Sequence, residues 1–267
     1  MKAYQLQCLS MMDSYTNTHR ETYSPSAELL KNRVILVTGA SRGIGHAVAK
    51  TFAAHGATVI LLARTVKKLE ALYDEIVAAG HPTPAIYPFN LANAAPKDYQ
   101  DLHHSIEHHF GRLDGLLHNA AELGSLTPLE HYPIEQWYQV LQLNLNSAFL
   151  LTQATLPLLK RSLDASIVFT TANEGTIGKA YWGAYGVSKF AVNGLMQTLA
   201  SELETNTSIR VNSVNPGRVR TLLRASAYPA ENTKDLALPE TILPLYLYLM
   251  GSDSREIRGR TFDREHH

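Results

Sequence analysis

Short apolar runs alternate with longer segments of helical periodicity along most of the chain. The runs have the length and β-branched content of strands, and they fall at residues 34–37, 58–63, 84–89, 113–118, 166–170, 209–215 and 260–263. The run at 58–63 is apolar on both faces, as a strand covered by helices on both sides must be. The pattern predicts seven strands in a parallel sheet.

The segments between these strands predict about six helices. They cover residues 44–55, 66–79, 95–110, 134–160, 185–204 and 240–250, the fourth being interrupted or kinked at Pro157. Right-handed crossovers then give a doubly wound, three-layer α/β sandwich of the Rossmann type, in which ligands bind beyond the carboxyl ends of the strands. Residues 28–267 are predicted to form this single domain, and the polar residues 1–27 a flexible extension.

Composition narrows the classes to which the chain can belong. Its 267 residues are 45% hydrophobic, enough for one domain, and its formal net charge of +0 argues against nucleic acid as a partner. The single cysteine, Cys8, fits a reducing compartment. No apolar run reaches the length of a membrane span, and no signal-peptide pattern follows Met1. We expect a cytoplasmic protein with no membrane partner; Met11 and Met12 leave the translation start open.

The glycine-rich segment between the first strand and the first helix carries the clearest chemical signal. Glycines let backbone N–H groups approach phosphate oxygens, and the helix N-terminus adds partial positive charge. An ordinary glycine-rich turn is the alternative, but the strand before it and the helix after it favour a dinucleotide-binding loop. The predicted phosphate-binding residues are Gly39, Ser41, Arg42, Gly43, Ile44 and Gly45.

Residues at the end of the second strand predict which nucleotide is bound. An NAD-binding protein usually has an acidic residue there for the ribose 2′-hydroxyl. This chain has Ala63 followed by Arg64, and Arg42 projects from the glycine loop. Either arginine alone is equally well explained as a solvated surface charge. Two guanidinium groups without an acid favour a 2′-phosphate, so the predicted cofactor is NADP(H).

Tyr185 and Lys189 lie four residues apart at the start of the predicted helix 185–204, so both face one side of it. A nearby ammonium lowers the pKa of a phenol, and the pair is therefore expected to transfer protons near neutral pH. An ordinary surface pair is the alternative. The glycine loop earlier in the chain favours the catalytic interpretation.

Together these motifs make the chain similar to the short-chain dehydrogenase/reductase family over residues 31–263. The resemblance rests on the glycine loop, on Tyr185 with Lys189, and on the segments LHNAA at 117–121, LNL at 143–145 and NPG at 215–217. Within that family, stretches such as WGAY at 182–185 resemble the YciK-type bacterial oxidoreductases.

The resemblance implies an NADP(H)-dependent oxidoreductase that interconverts a small-molecule carbonyl and an alcohol by hydride transfer. Tyr185 would be the general acid and base, Lys189 would bind the nicotinamide ribose, and Asn144 would hold a water molecule in a proton relay. Subunits would pair through helices 134–160 and 185–204 into a homodimer or homotetramer. The other expected cofactor contacts are Arg64, Asn90, Leu91, Asn119, Ala120, Ala121, Tyr185, Lys189, Pro216, Gly217 and Thr221.

One catalytic position departs from the family pattern. The family's serine falls thirteen residues before Tyr185, where this chain has Ala172, and a methyl group cannot donate a hydrogen bond to a substrate oxygen. Thr171 and Asn173 are the nearest replacements, but neighbours on an extended strand point to opposite faces, which argues against both. Two cofactor contacts also depart from the pattern, where a usual aspartate and a usual glycine are replaced by Asn90 and Ala121.

Two functions therefore remain open. Asn144, Tyr185 and Lys189 favour a carbonyl reductase or alcohol dehydrogenase in which the hydrogen-bond donors to the substrate oxygen differ from those of the family. Ala172 favours a nucleotide-binding protein with little or no redox activity, serving as a sensor or partner subunit.

Two further segments lead to minor expectations. His104 and His108 are four apart on one predicted helix, but no third ligand is evident and no metal site is expected. Residues 222–238 form a long connection with little periodicity, and we expect them to act as a lid over an apolar substrate.

Overall fold

The computed structural model describes residues 23–264. Residues 1–22 and 265–267, and with them Cys8 and most of the predicted extension, lie outside the described residues. The ring of Tyr23 packs edge-on against Tyr248 with 5.3 Å between ring centres, and its hydroxyl donates to Asp253 at 3.0 Å. Packing against the domain thus reaches further toward the N-terminus than the predicted boundary at residue 28.

One seven-stranded, wholly parallel sheet forms the centre of the described residues. Its strands are β1 (Val34–Thr38), β2 (Thr58–Ala63), β3 (Ala85–Pro88), β4 (Gly115–His118), β5 (Ser166–Thr170), β6 (Arg210–Asn215) and β7 (Thr261–Asp263). They lie in the order β3–β2–β1–β4–β5–β6–β7. The winding direction reverses between β1 and β4, so a crevice opens beyond their carboxyl ends. The predicted doubly wound α/β fold is confirmed.

Helices cover both faces of this sheet. They are α1 (Gly43–Ala54), α2 (Val66–Ala78), α3 (Pro96–Phe110), α4 (Ile134–Leu141), α5 (Ser147–Leu159), α6 (Gly183–Glu204), α7 (Leu222–Ala227) and α8 (Leu243–Met250). The predicted boundaries agree with these to within about three residues, the usual uncertainty of helix ends. Across residues 23–264, none of the helices is long and apolar enough to cross a membrane.

The two faces of the sheet bury two separate apolar cores. On one face Leu36 and its neighbours pack against α3, α5 and α6, and on the other Ile35 and Val37 pack against α1, α2 and α8. Successive residues of β1 thus enter opposite cores, which is why the strand is apolar throughout. Both cores support the carboxyl ends of β1 and β4, where the crevice lies.

The predicted helix 134–160 is interrupted, but not at the predicted place. A π-helical turn at Gln142–Asn146 separates α4 from α5, whereas α5 runs through Pro157. Pro157 is exposed in the last turn of α5, so the carbonyl that loses its partner there can bond to water. π turns are frequent at functional sites, and this one contains Asn144.

The connection 222–238 contains a helix that the sequence analysis missed. α7 begins after Thr221, whose hydroxyl accepts a hydrogen bond from the N–H of Arg224 at 3.1 Å. Val219 pairs with Ala237 in an isolated bridge, so the two ends of the connection are close together. The connection is therefore a compact loop rather than an extended one.

Candidate active site

The glycine loop leaves β1 in a conformation that only glycine adopts readily. Gly39 and Gly43 have φ angles of 68° and 56°, in the left-handed region that side chains disfavour. Gly45 is needed for another reason, because a Cβ there would collide with the carbonyl oxygen of Gly39. This glycine pattern lets the loop close and brings the N-terminus of α1 to the crevice.

Thr38 fixes the floor of the crevice between β1 and β4. Its hydroxyl donates to the carbonyl of Leu117 at 3.1 Å and accepts from the N–H groups of Asn119 at 2.9 Å and Ala120 at 3.1 Å. The Asn119 side chain also donates to the carbonyl of Thr38 at 3.2 Å. One buried hydroxyl therefore uses its full hydrogen-bonding capacity to hold Asn119 and Ala120 beside the glycine loop.

A cleft of about 270 Å³ runs from the glycine loop to Tyr185 and the connection after β6. Gly45, Asn90 and Asn144 do not line it: Gly45 is buried under the loop, Asn90 accepts from the N–H of Ala92 at 3.3 Å, and Asn144 lies behind the cleft. The predicted residues that do line it are Gly39, Ser41, Arg42, Gly43, Ile44, Arg64, Leu91, Asn119, Ala120, Ala121, Tyr185, Lys189, Pro216, Gly217 and Thr221.

The outer end of this cleft is basic. Arg42, Arg64 and Lys68 line it with exposed side chains, and no carboxylate among the described residues lines that end. Lys68 was missed; it lies in the first turn of α2, which begins two residues after Arg64. Three cations without an acid for the 2′-hydroxyl fit a dinucleotide that carries a 2′-phosphate.

The π turn between α4 and α5 holds Asn144 behind the cleft. Its Nδ2 donates to the carbonyl of Glu122 at 3.0 Å and to the hydroxyl of Ser188 at 2.9 Å, and its Oδ1 accepts from the Glu122 N–H at 2.8 Å. None of these bonds reaches Lys189. Asn144 and Lys189 instead line a common cavity of about 10 Å³, which is the room one water molecule needs.

Tyr185 lies at the inner end of the cleft and is 5% exposed. Its ring packs against Trp182, with 5.6 Å between ring centres, and clusters with Ala227 of α7. Burial raises the pKa of Tyr185, and the carboxylate of Glu174 raises it further. The predicted lowering of the phenol pKa is therefore wrong for the polypeptide itself, because desolvation of the phenolate outweighs the lowering effect of Arg224.

Lys189 lies one helical turn beyond Tyr185. Its Nζ donates to the carbonyl of Thr170 at 2.8 Å and lies 5.5 Å from the centre of the Tyr185 ring. Burial lowers the pKa of Lys189 to about 8, against the opposing effect of the Glu174 carboxylate. The side chain is therefore mostly cationic at neutral pH, and its charge is lost as the pH rises through about 8.

Ala172 lines the cleft at the position of the expected serine, and its two neighbours differ in accessibility. Thr171 is 2% exposed, and its hydroxyl lies against Gly175 without a hydrogen-bond partner in residues 23–264. Asn173 is exposed in the cleft and begins a 3-10 turn at Asn173–Gly175. The expectation that Asn173 points away from the cleft assumed an extended strand, in which neighbouring side chains face opposite sides. β5 ends at Thr170, so that expectation does not apply to Asn173.

Glu174 is the one carboxylate among residues 23–264 that lines the cleft, and it lies beside a cluster of apolar side chains at the inner end. Glu174 is 9% exposed, and its carboxylate lies 4.0 Å from Nζ of Lys179, which donates to the hydroxyl of Tyr228 at 2.9 Å. Sequence spacing does not mark Glu174, since its approach to Tyr185 depends on the 3-10 turn. The apolar residues that cluster here are Ala121, Leu123, Ala172, Trp182, Tyr185, Leu223, Ala227 and Tyr228.

This arrangement can hold an extended dinucleotide, with phosphates at the N-terminus of α1 and one end beside a buried phenol. Residues 23–264 contain no group of three His, Cys, Asp or Glu side chains placed to hold a metal ion. His103, in the histidine-rich part of α3, instead bonds through Nδ1 to the carbonyl of Ala154 at 2.7 Å.

Comparison with known proteins agrees with this geometry. Residues 33–232 match the family described as short chain dehydrogenase. The chain belongs to this family. This short-chain dehydrogenase is 46% identical over 243 residues to the uncharacterized oxidoreductase YciK of Escherichia coli, and the match covers 91% of this chain and 96% of YciK.

Two similar solved structures contain a nicotinamide nucleotide. A short chain dehydrogenase from Shigella flexneri complexed with NADP has a TM-score of 0.87 at 46% identity, covering 89% of this chain and 99% of that one. Another from Escherichia coli complexed with NADPH has a TM-score of 0.87 at 47% identity, covering 90% and 99%. This short-chain dehydrogenase is similar to both along nearly their whole length.

Proposed function

We propose that this short-chain dehydrogenase uses NADP(H) to interconvert a carbonyl and an alcohol, with Tyr185 as general acid and base. The observation that carries the proposal is a single cleft with Arg42, Arg64 and Lys68 at one end and the buried pair Tyr185 and Lys189 at the other. The complexes of two relatives with NADP and NADPH support the choice of nucleotide.

The lining residues would hold NADP(H) along the cleft. Backbone N–H groups at the N-terminus of α1 would bind the pyrophosphate, and Arg42 with Arg64 would bind the 2′-phosphate. Lys189 would bind the nicotinamide ribose with the N–H donors that Thr170 does not use. The remaining contacts would come from Ser41, Leu91, Asn119, Ala120, Ala121, Pro216, Gly217 and Thr221.

When bound, NADPH supplies the hydride that reduces the carbonyl carbon. Tyr185 donates its phenolic proton to the carbonyl oxygen, so the products of this step are an alcohol and a phenolate. The raised pKa of Tyr185 keeps that proton in place until the oxygen gains negative charge. The Lys189 ammonium stabilises the phenolate, and the cavity beside Asn144 gives a relay water the room to return a proton.

A nucleotide-binding protein with little or no redox activity is the second candidate, and Ala172 is the observation that favours it. Without a serine hydroxyl the substrate oxygen loses one hydrogen-bond donor, and such a loss costs about 10²–10³ in rate. Tyr185 is nevertheless present, and hydrogen bonds hold Asn144 to Ser188 and Lys189 to the carbonyl of Thr170. We therefore favour the enzyme.

NADPH consumption with a panel of aldehydes and apolar ketones separates the two candidates. The native chain should consume NADPH with at least one carbonyl, and Tyr185→Phe should lower kcat by about 10²–10⁴ while the dissociation constant for NADPH stays the same. Ala172→Ser should raise kcat. Nucleotide binding without turnover in the native chain, with turnover appearing only in Ala172→Ser, would support the second candidate.

A further inference from the structure

The site lacks one hydrogen-bond donor that a carbonyl reduction needs. Ala172 cannot donate, and the hydroxyl of Thr171, a residue that is only 2% exposed, lies against Gly175. A substrate oxygen would then have Tyr185 as its only donor unless a neighbouring group turns toward the cleft. The adjacent Asn173 is such a group.

The amide of Asn215 determines which way Asn173 presents its own amide. Oδ1 of Asn215 accepts from the backbone N–H of Gly217 at 3.2 Å, so Nδ2 of Asn215 must face the other way. There it donates to Oδ1 of Asn173 and to Oδ1 of Asp263. Both hydrogens of this 1% exposed amide are therefore used, and each is given to an oxygen.

This network leaves the donor end of Asn173 unused. Its Oδ1 is held by Asn215, so the Nδ2 group points away from Asn215, and it has no hydrogen-bond partner within residues 23–264. Asn173 is exposed and lines the cleft between Ala172 and Asn215. Its backbone is fixed as well, since its carbonyl accepts from the N–H of Thr176 at 3.1 Å.

We propose that Asn173 is a catalytic hydrogen-bond donor that replaces the missing serine and binds the substrate oxygen through Nδ2. The proposal rests on the proposed carbonyl reduction and names the residue that completes its donor set. Asn215, held by Gly217 and Asp263, is then a positioning residue that keeps the amide in the donating orientation. Tyr185 supplies the proton, and Asn173 lowers the energy of the developing negative charge on oxygen.

Asn173→Asp is the sharpest test, because the aspartate still accepts from Asn215 but cannot donate. With cyclohexanone and NADPH, kcat should fall by about 10²-fold, while the dissociation constant for NADPH stays the same. Ala172→Ser in the Asn173→Asp background should restore most of the lost kcat. Asn206→Asp, on an exposed loop away from the cleft, controls for the added charge and should leave kcat unchanged.

A binding experiment keeps this inference separate from the proposed function. Cyclohexanecarboxamide is an unreactive carbonyl, and the NADPH complex of Asn173→Asp should bind it at least about tenfold more weakly than the NADPH complex of the native chain. Turnover in the native chain with an undiminished kcat in Asn173→Asp would overturn the inference alone. Equal carboxamide binding, or none by the native chain, would overturn it as well. Absence of turnover with every carbonyl would overturn the proposed function.

Discussion

Nζ of Lys189 lies 5.5 Å from the centre of the Tyr185 ring but gives a hydrogen bond to the carbonyl of Thr170. Both side chains are buried, and burial moves their pKa values in opposite directions, up for Tyr185 and down to about 8 for Lys189. The phenol thus holds its proton at neutral pH, and the lysine can still release one.

Neutralising Glu174 should shift the pH dependence of catalysis. After burial, the Glu174 carboxylate is the largest influence that raises the pKa of Tyr185, and it also raises the pKa of Lys189. Glu174→Gln should lower both values. Alcohol oxidation needs the Tyr185 phenolate, so its rate rises with pH, and this rise should move to lower pH. Carbonyl reduction should slow above about pH 8 as Lys189 loses its charge, and this fall should also move to lower pH.

Rate profiles against pH for Glu174→Gln measure this shift. Glu202→Gln removes the same charge from an exposed position of α6 and should leave the profile of the native chain unchanged. A Glu174→Gln profile that coincides with the native one, or one displaced to higher pH, would contradict the assigned electrostatic role.

The basic residues at the outer end of the cleft should make the protein bind NADPH more tightly than NADH. Arg64→Gln and Lys68→Gln each remove a cation placed to bind the 2′-phosphate of NADPH, so each should weaken NADPH binding by about 10- to 100-fold. NADH lacks that phosphate, and its affinity should not change. Lys67→Gln is the matched control, because Lys67 is exposed beside them but does not line the cleft. Isothermal titration would count against the assignment if Arg64→Gln and Lys67→Gln weakened NADPH binding equally.

The connection 222–238 should close over bound nucleotide. Arg224 binds Glu231 through Nε at 2.7 Å, Lys179 donates to Tyr228 at 2.9 Å, and α7 lines the cleft. Saturating NADPH should therefore slow limited proteolysis within 222–238. Lys179→Met removes the contact with Tyr228 and should speed it. Cutting at the same rate with and without NADPH would show that these residues are not a lid.

Exposed apolar side chains on α5 and α6 should mediate self-association. Phe149, Val187 and Phe190 are 46%, 45% and 43% exposed, and they lie on the two helices through which subunits are predicted to pair. We expect light scattering to give two or four times the chain mass of 29.5 kDa, and Phe190→Glu to lower it. Val77→Glu, a similarly exposed position on α2, should not. A native mass of one chain would rule out the predicted oligomer.

The elements that could be predicted are those with local signals. The strands are continuous apolar runs, and the glycine loop is readable because Gly39, Gly43 and Gly45 each meet a steric requirement close by in the chain. The sequence pattern places the interruption of helix 134–160 at Pro157, because proline is a helix-breaking signal that can be read locally. The structure has the interruption before α5 instead. The π turn depends instead on bonds from Asn144 to Glu122 and Ser188, which lie 22 and 44 residues away.

The chemistry of the site was harder to predict than its location. The spacing of Tyr185 and Lys189 correctly placed them side by side, but the direction of the Tyr185 pKa depends on burial by Trp182 and Ala227, which sequence spacing does not show. The sequence pattern argues against Asn173 because it predicts an extended strand on both sides of Ala172. In the structure β5 ends at Thr170, and Asn173 begins a 3-10 turn that places it in the lining of the cleft.

Every proposed role requires the cleft to hold a nicotinamide nucleotide, so the decisive measurement is a titration of the purified protein with these nucleotides. We expect saturable binding of NADPH, with NADH bound more weakly because it lacks the 2′-phosphate. Equal dissociation constants for the two would contradict the role of Arg42 and Arg64. If the protein has no measurable affinity for any reduced or oxidised nicotinamide nucleotide, then neither the proposed reaction nor the proposed roles of Tyr185, Lys189 and Asn173 can be correct.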